Sequence, residues 1–279
     1  MYSHLTLVAQ GRLPWRTDDA AIEEAVRTLA RIAGPRLILF GLADNHGHVV
    51  LEAADAMELG HLRTDLLRAH PFAGVVDRDI HVTLVADRDH LATLAAYMPR
   101  QVVHHKLPQD PALFLGSHLP DVVGARLLPG LCRGVFAALP DVDVAETTLR
   151  GIGLRGPVVP ATDAQIRAVG AVATWTACRE ALASSDDGRR TVRAMLARRS
   201  FVELANGAGI HPTDARDVAE IARASWYRLL EAPVDAAMSE VVRMRLGLVA
   251  LAEATPVFAR TIPEKTPQPV LKAPRRKKR

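Results

Sequence analysis

Across the first 107 positions the hydrophobic residues switch between a period of two and a period near 3.6, and this alternation constrains the fold more than any other feature. Residues 4–10 (HLTLVAQ) have strand character. Thr17-Asp-Asp-Ala supplies an N-cap, after which Ile22, Val26, Leu29 and Ile32 recur at helical spacing as far as Gly34-Pro35. Residues 36–44 (RLILFGLAD) and 46–53 (HGHVVLEA) form two strands separated by the turn-forming pair Asp44-Asn45. A helix over 57–69 stops at His70-Pro71, a strand follows over 80–86, and residues 87–103 are helical. The order β-α-β-β-α-β predicts an α+β protein with a ferredoxin-like split βαβ arrangement, an antiparallel sheet with helices packed on one face. That architecture serves many functions, so the site must decide the chemistry.

Residues 108–160 are rich in Pro and Gly and are expected to be irregular. From Ala161 the pattern is persistently helical, in segments near 161–184, 189–206, 213–222, 225–232 and 235–253. The expected organisation is a sheet domain over 1–125, an irregular linker over 126–160, an all-helical domain over 161–255 and a basic disordered tail over 256–279, without internal repeats. Seven Lys or Arg and one Glu from Thr261 onward give that end +6 within a whole-chain +4, which leaves −2 on residues 1–260. The body is therefore not globally basic, and nucleic acid must be met by local patches. The tail is either an unspecific phosphate attractor or a solvated end. No stretch approaches the ~20 apolar residues of a membrane span. The amino terminus lacks the basic-then-apolar pattern of a secretory signal. Cys132 and Cys178, outside any C-x-x-C, argue against a disulfide framework or cysteine zinc site and fit a reducing cytoplasm.

Alternate residues of a strand project to one face, so His46 and His48 stand together with Gly47 turned away, a two-imidazole platform for a divalent ion. Alone the pair is a weak signal: with 11 histidines in 279 residues, about 0.4 such pairs arise by chance. A second element sharpens it. On the helix DHLATLAAYMPRQVV, Tyr97 and Gln101 lie four residues apart and share a face. Gln101 offers a carbonyl oxygen as a third ligand, and Tyr97 a hydroxyl beside the ion. In that arrangement a metal can polarise a scissile phosphate, and tyrosine suits reversible strand transfer because its phenolate is a competent nucleophile that can store the bond as a phosphotyrosine. The competing reading makes Tyr97 a half-buried aromatic of an amphipathic helix. Pro99 clashes with the carbonyl of Ala95 and is expected to kink this helix, while Gly47 loosens its strand. His104 and His105 are expected at the surface.

These residues resemble a known family. RLILFGLADNHGHVVLE is similar to the strand-turn-strand that carries the metal histidines of REP-associated tyrosine transposases and other single-tyrosine HUH transposases. LATLAAYMPRQVVHHKL resembles the helix that bears their nucleophile, with a polar amide four residues later, and DPALFLGSHLPDVVG resembles the following loop. The resemblance covers residues 1–125. It implies that His46, His48 and Gln101 bind Mg²⁺ or Mn²⁺ and that Tyr97 forms a 5′-phosphotyrosine bond with a cleaved single strand. It also implies hairpin-containing single-stranded DNA as the partner, a homodimer, and DNA contacts at Arg12 and Arg16, which are otherwise ordinary surface charge. Gly47 and Pro99 depart from the family pattern, which leaves a catalytically inactive DNA-binding regulator as the alternative. A metal phosphodiesterase using activated water is a third reading.

In TDARDVAEIARASWYRLLEA two short helices, the second with Ser225 as N-cap, have helix-turn-helix spacing. Trp226, Tyr227 and Arg228 would then face the DNA groove. The alternative is a helical bundle with Trp226 and Leu229 in its core.

Overall fold

The computed structural model describes residues 1–10, 18–69, 80–128, 131–183, 190–233 and 235–260. Arg12, Arg16 and the Lys/Arg-rich stretch from Thr261 lie outside the described residues.

The chain begins with β1 (Tyr2–Val8), α1 (Asp19–Ala33), β2 (Leu37–Leu42), β3 (His46–Glu52), α2 (Ala56–Ala69) and β4 (His81–Leu84). Helix α1 starts where Asp18 caps it, the carboxylate accepting from the Ala21 amide at 3.1 Å. The four strands form one antiparallel sheet in the order β2-β3-β1-β4. Leu5 and Leu7 of β1 pair with Val49 and Gly47 of β3, so their side chains share the apolar face. His4, Thr6 and Val8 pair with Val50, His48 and His46 on the opposite face. β2 is buried along its whole length, whereas all four residues of β4 are exposed at the other edge.

After β4 come α3 (Arg88–Tyr97), a 3₁₀ turn over Met98–Arg100, and α4 (Gln101–His104). The kink expected at Pro99 takes the form of this tightened turn, which relieves the clash of the ring with the preceding carbonyl. The turn lies close against β2 at Gly41. A Cβ added there would come within 2.8 Å of the Met98 carbonyl oxygen. Glycine is needed at this position for space.

Residues 126–160, expected as an irregular linker, belong largely to the first core. Short helices α5 (Leu119–Val122), α6 (Gly134–Ala138) and α7 (Val144–Gly151) punctuate the segment from 119 onward. Leu131, Val135, Leu139, Leu149, Ile152 and Leu154 are buried against the sheet body. The physical reason is the free edge of β2, which residues 116–118 cover. The Leu42 amide donates to the Gly116 carbonyl at 2.7 Å, and the His118 amide to the Phe40 carbonyl at 3.1 Å. The buried Arg126 fastens this cover, donating to Asp121 and to the carbonyls of Leu115 and Ser117.

The remaining helices are α8 (Asp163–Ala183), broken at Gly170 where φ is 80°, α9 (Arg190–Gly207), α10 (Pro212–Val218), α11 (Arg223–Glu231) and α12 (Ala236–Ala254). They enclose a second core containing Phe201 and Trp226. α12 serves both cores: Leu246 belongs to the second, Leu248 and Ala252 to the first. Between them the buried Arg245 donates to Glu180 at 2.7 Å and to the Leu113 carbonyl at 3.0 Å. The tail boundary expected at 256 also shifts. Arg260 is buried and makes a two-pronged pair with Asp110, both contacts at 2.7 Å, so the folded body extends through that residue. Among the described residues no helix is long and apolar enough to cross a membrane.

The close approach at Gly41 yields a prediction. Gly41→Ala must push the Met98–Arg100 turn off β2 and is expected to cost about 1–3 kcal/mol of stability, measured by urea denaturation. A neutral result would show that the turn yields freely.

Candidate active site

The hairpin β2–β3 turns through residues 43–45, closed by the Ala43 amide donating to the His46 carbonyl at 2.8 Å. It sets His46 and His48 on the sheet face opposite Leu5 and Leu7. Gly47, expected to loosen the strand, is paired on both sides, with Leu7 of β1 and Leu42 of β2, and this double ladder holds it. The two imidazoles meet edge to face with centroids 4.8 Å apart.

Tyr97 ends α3, whose N-terminus is capped by the Asp87 carboxylate accepting from the His90 amide at 2.8 Å. Its ring is half-buried against the first core and stands 5.6 Å from the His48 ring. His46, His48 and Tyr97 thus line one open cleft of about 320 Å³, with Thr6, Val8, Asn45 and His105. The Arg100 guanidinium lies 5.8 Å from the centroid of the Tyr97 ring.

Gln101 is not brought into this group. It is 2% exposed, does not line the cleft, and its amide nitrogen has no hydrogen-bond partner. Arg228 lies on the exposed face of α11, remote in sequence from the cleft, and turns back on its own helix, donating to Ser225 Oγ at 3.0 Å. The helix begins at Arg223, two residues before Ser225, so Ser225 is not its cap. Trp226 is 1% exposed and packs in the second core, which removes it from any groove-facing set, while Tyr227 remains exposed.

One residue passed over in the sequence, and one expected at the surface, belong to the site. His4 shares a 3.0 Å hydrogen bond with His48 Nδ1 through its Nε2. Its place follows from the register, two positions along β1 from Thr6, which faces His48. A lone histidine in an apolar strand carries no such signal before the register is known. His105, expected at the surface, lines the cleft and donates from Nδ1 to Asp44 Oδ1 at 2.6 Å. His104 lies farther out, its ring 6.3 Å from Tyr97.

Burial sets the electrostatics. Desolvation, helped by His90, lowers His4 to about 4, and desolvation with His4, His46 and His105 nearby holds His48 well below 6.5. Both rings are therefore neutral at pH 7, so in their shared bond one donates and the other accepts. His48 Nε2 is buried without a partner. A neutral imidazole with an unengaged nitrogen and an outer partner on the other is chemically suited to a divalent ion. Among the described residues no three His, Cys, Asp or Glu side chains already form a ready-made metal-binding group.

A larger cavity of about 430 Å³ lies between Val122, Leu149, Val158 and Met244. Its carboxylates are engaged structurally, Asp143 capping α7 and Glu146 paired with Arg150, so it lacks the chemistry of the histidine cleft.

No protein-family model, curated protein or solved structure matches the chain.

The buried imidazoles make stability depend on pH. His118, fully enclosed, is lowered by desolvation to about 4, as is His4. The unfolded chain binds protons at these groups near pH 6.5 and the folded chain only near 4. Their contribution is thus complete above about pH 6.5 and is lost as pH falls toward 4. The urea midpoint is expected to be lower at pH 5 than at pH 7.5. A flat profile across that window would contradict the neutral, buried state of these rings.

Proposed function

We propose that the chain is a metal-dependent single-stranded DNA endonuclease and strand transferase of the single-tyrosine transposase type, built on a ferredoxin-like split βαβ domain. The observation that carries the reading is the shared cleft in which Tyr97 stands beside His46 and His48, with 5.6 Å between the Tyr97 and His48 rings. The strand order β2-β3-β1-β4 and the alternation of helices with strands support the fold assignment.

In this reading His46 and His48 give two imidazole donors to a Mg²⁺ or Mn²⁺ ion, and the family resemblance names Gln101 for a third place. The ion, when bound, acts as a Lewis acid on the scissile phosphate. The Tyr97 oxygen, having lost its proton, attacks phosphorus. The bond from phosphorus to the 3′ oxygen breaks, and that oxygen leaves as a 3′-hydroxyl after taking up a proton. The strand is held as a 5′-phosphotyrosine, and rejoining reverses the same steps. The open cleft admits a single strand, and the basic stretch beyond Thr261 draws phosphate without regard to sequence. Helices α10 and α11 follow one another at helix-turn-helix spacing, and in this reading Tyr227 and Arg228 meet DNA there. Arg12 and Arg16 take the basic contacts that follow the first strand in the family, and the active unit is a homodimer acting on hairpin-containing DNA.

The burial of Gln101 outside the cleft favours a second reading, a regulator that binds DNA without cutting it. Incubating the protein with hairpin-bearing single strands and Mn²⁺, then resolving it under denaturing conditions, separates the two. A covalent protein–DNA adduct is expected, absent in Tyr97→Phe and reduced more than about tenfold in His48→Ala. An adduct that persists in Tyr97→Phe removes the tyrosine from its role. DNA binding that ignores chelators, with no adduct in the wild-type protein, favours the regulator.

A further inference from the structure

We infer that the third protein donor of the ion site is the imidazole of His105, oriented by Asp44, in place of the Gln101 amide. The inference rests on the reading above that the cleft holds a divalent ion.

Three neighbouring imidazoles each have Nδ1 engaged by an outer group. His46 donates to Asn45 Oδ1 at 2.8 Å, His48 meets His4 at 3.0 Å, and His105 donates to Asp44 Oδ1 at 2.6 Å. A neutral imidazole that donates Nδ1–H carries its lone pair on Nε2. Such an outer bond, to a carboxylate above all, is what fixes the tautomer and basicity of metal-bound histidines. For His48 the required tautomer donates Nδ1–H to His4, which leaves the lone pair on the buried, unpartnered Nε2.

The spacing of the His46 ring from each of its two neighbours agrees with this assignment. An ion ~2.1 Å from a ring nitrogen lies ~3.2 Å from that ring's centroid, so two rings bound at ~90–110° have centroids ~4.5–5.2 Å apart. The His46 centroid is 4.8 Å from that of His48 and 4.6 Å from that of His105. Because the side chains do not already form a ready-made group, ion binding requires the rings to turn toward a common point. Gln101 meets neither condition. It is 2% exposed and does not line the cleft, and its amide nitrogen has no hydrogen-bond partner to orient it. Three imidazoles in place of two and an oxygen shift preference away from Mg²⁺ and toward Zn²⁺.

The test is titration calorimetry of the full-length protein, without DNA, against ZnCl₂, MnCl₂ and MgCl₂. Zn²⁺ is expected to bind at least about tenfold more tightly than Mg²⁺. Asp44→Asn is expected to weaken Zn²⁺ binding by about 10- to 100-fold, and His105→Ala by at least the lower figure. Gln101→Ala is expected to leave it unchanged. Circular dichroism melts check that each variant folds, with His105→Phe as a second, non-ligating substitution of similar size should the alanine variant not fold. Wild-type affinity in His105→Ala or His105→Phe overturns the assignment, and so does a loss confined to Gln101→Ala. Both results leave the His46/His48 platform and the Tyr97 adduct standing. If the wild-type chain binds none of the three ions, the ion site falls, and this inference with it.

Discussion

The ladder that holds β3 between β1 and β2 is the constraint from which the rest of the structure follows. Thr6 faces His48 on one side and Gly41 faces it on the other. A slip of one residue in either pairing would exchange the faces of the sheet, because side chains alternate. The imidazoles would then enter the apolar layer of Leu5, Leu7 and Val49, and those residues would move to the cleft. Burial of neutral imidazoles without partners in that layer costs more than the register can spare, so the apolar face enforces the polar one. The site is thus a by-product of core formation on the other side of the same strands.

Much of this was legible in the sequence because period and turn chemistry are local properties. The hairpin of β2 and β3 is readable from Asp44-Asn45 between two apolar runs, and a disturbance of the helix at Pro99 from the proline alone, though not the 3₁₀ turn that divides it there. What depended on distant pairing was not readable. His4 joins His48 across 44 positions, and His105 joins Asp44 across 61. Neither partnership has a period or a motif. The Pro- and Gly-rich stretch after residue 108 has the composition of a loose segment, and composition reports backbone freedom. It does not report that the free edge of β2 needs a cover, and that need recruits the stretch into the core. Trp226 illustrates the same limit: spacing allowed a groove-facing or a core position, and only the packing of α8, α9 and α11 decides for the core.

The cleft combines burial with hydrogen bonds in a way that bears on its chemistry. Desolvation keeps His4 and His48 uncharged, so these two imidazoles sit in contact without mutual repulsion. The outer partners of His48, His46 and His105 come from two places: β1 supplies His4, and the hairpin turn supplies both Asn45 and Asp44. Two of the three rings therefore depend on the same turn. Such a site tolerates movement of one element poorly, and the Met98–Arg100 turn, fixed against Gly41, limits that movement where Tyr97 is carried.

Helix α12 has a consequence for how the chain can be divided. Because one helix closes both cores, with Arg245 bridging from Glu180 to the Leu113 carbonyl, the sheet portion has no natural end at residue 160. A fragment stopping there would lose Leu248 and Ala252 from its hydrophobic cover and would open Asp110 to water where Arg260 had covered it. The halves are structurally co-dependent: load on the helical half passes to the sheet portion through α12 and through the Leu127 amide, which donates to the Ala181 carbonyl of α8 at 2.9 Å.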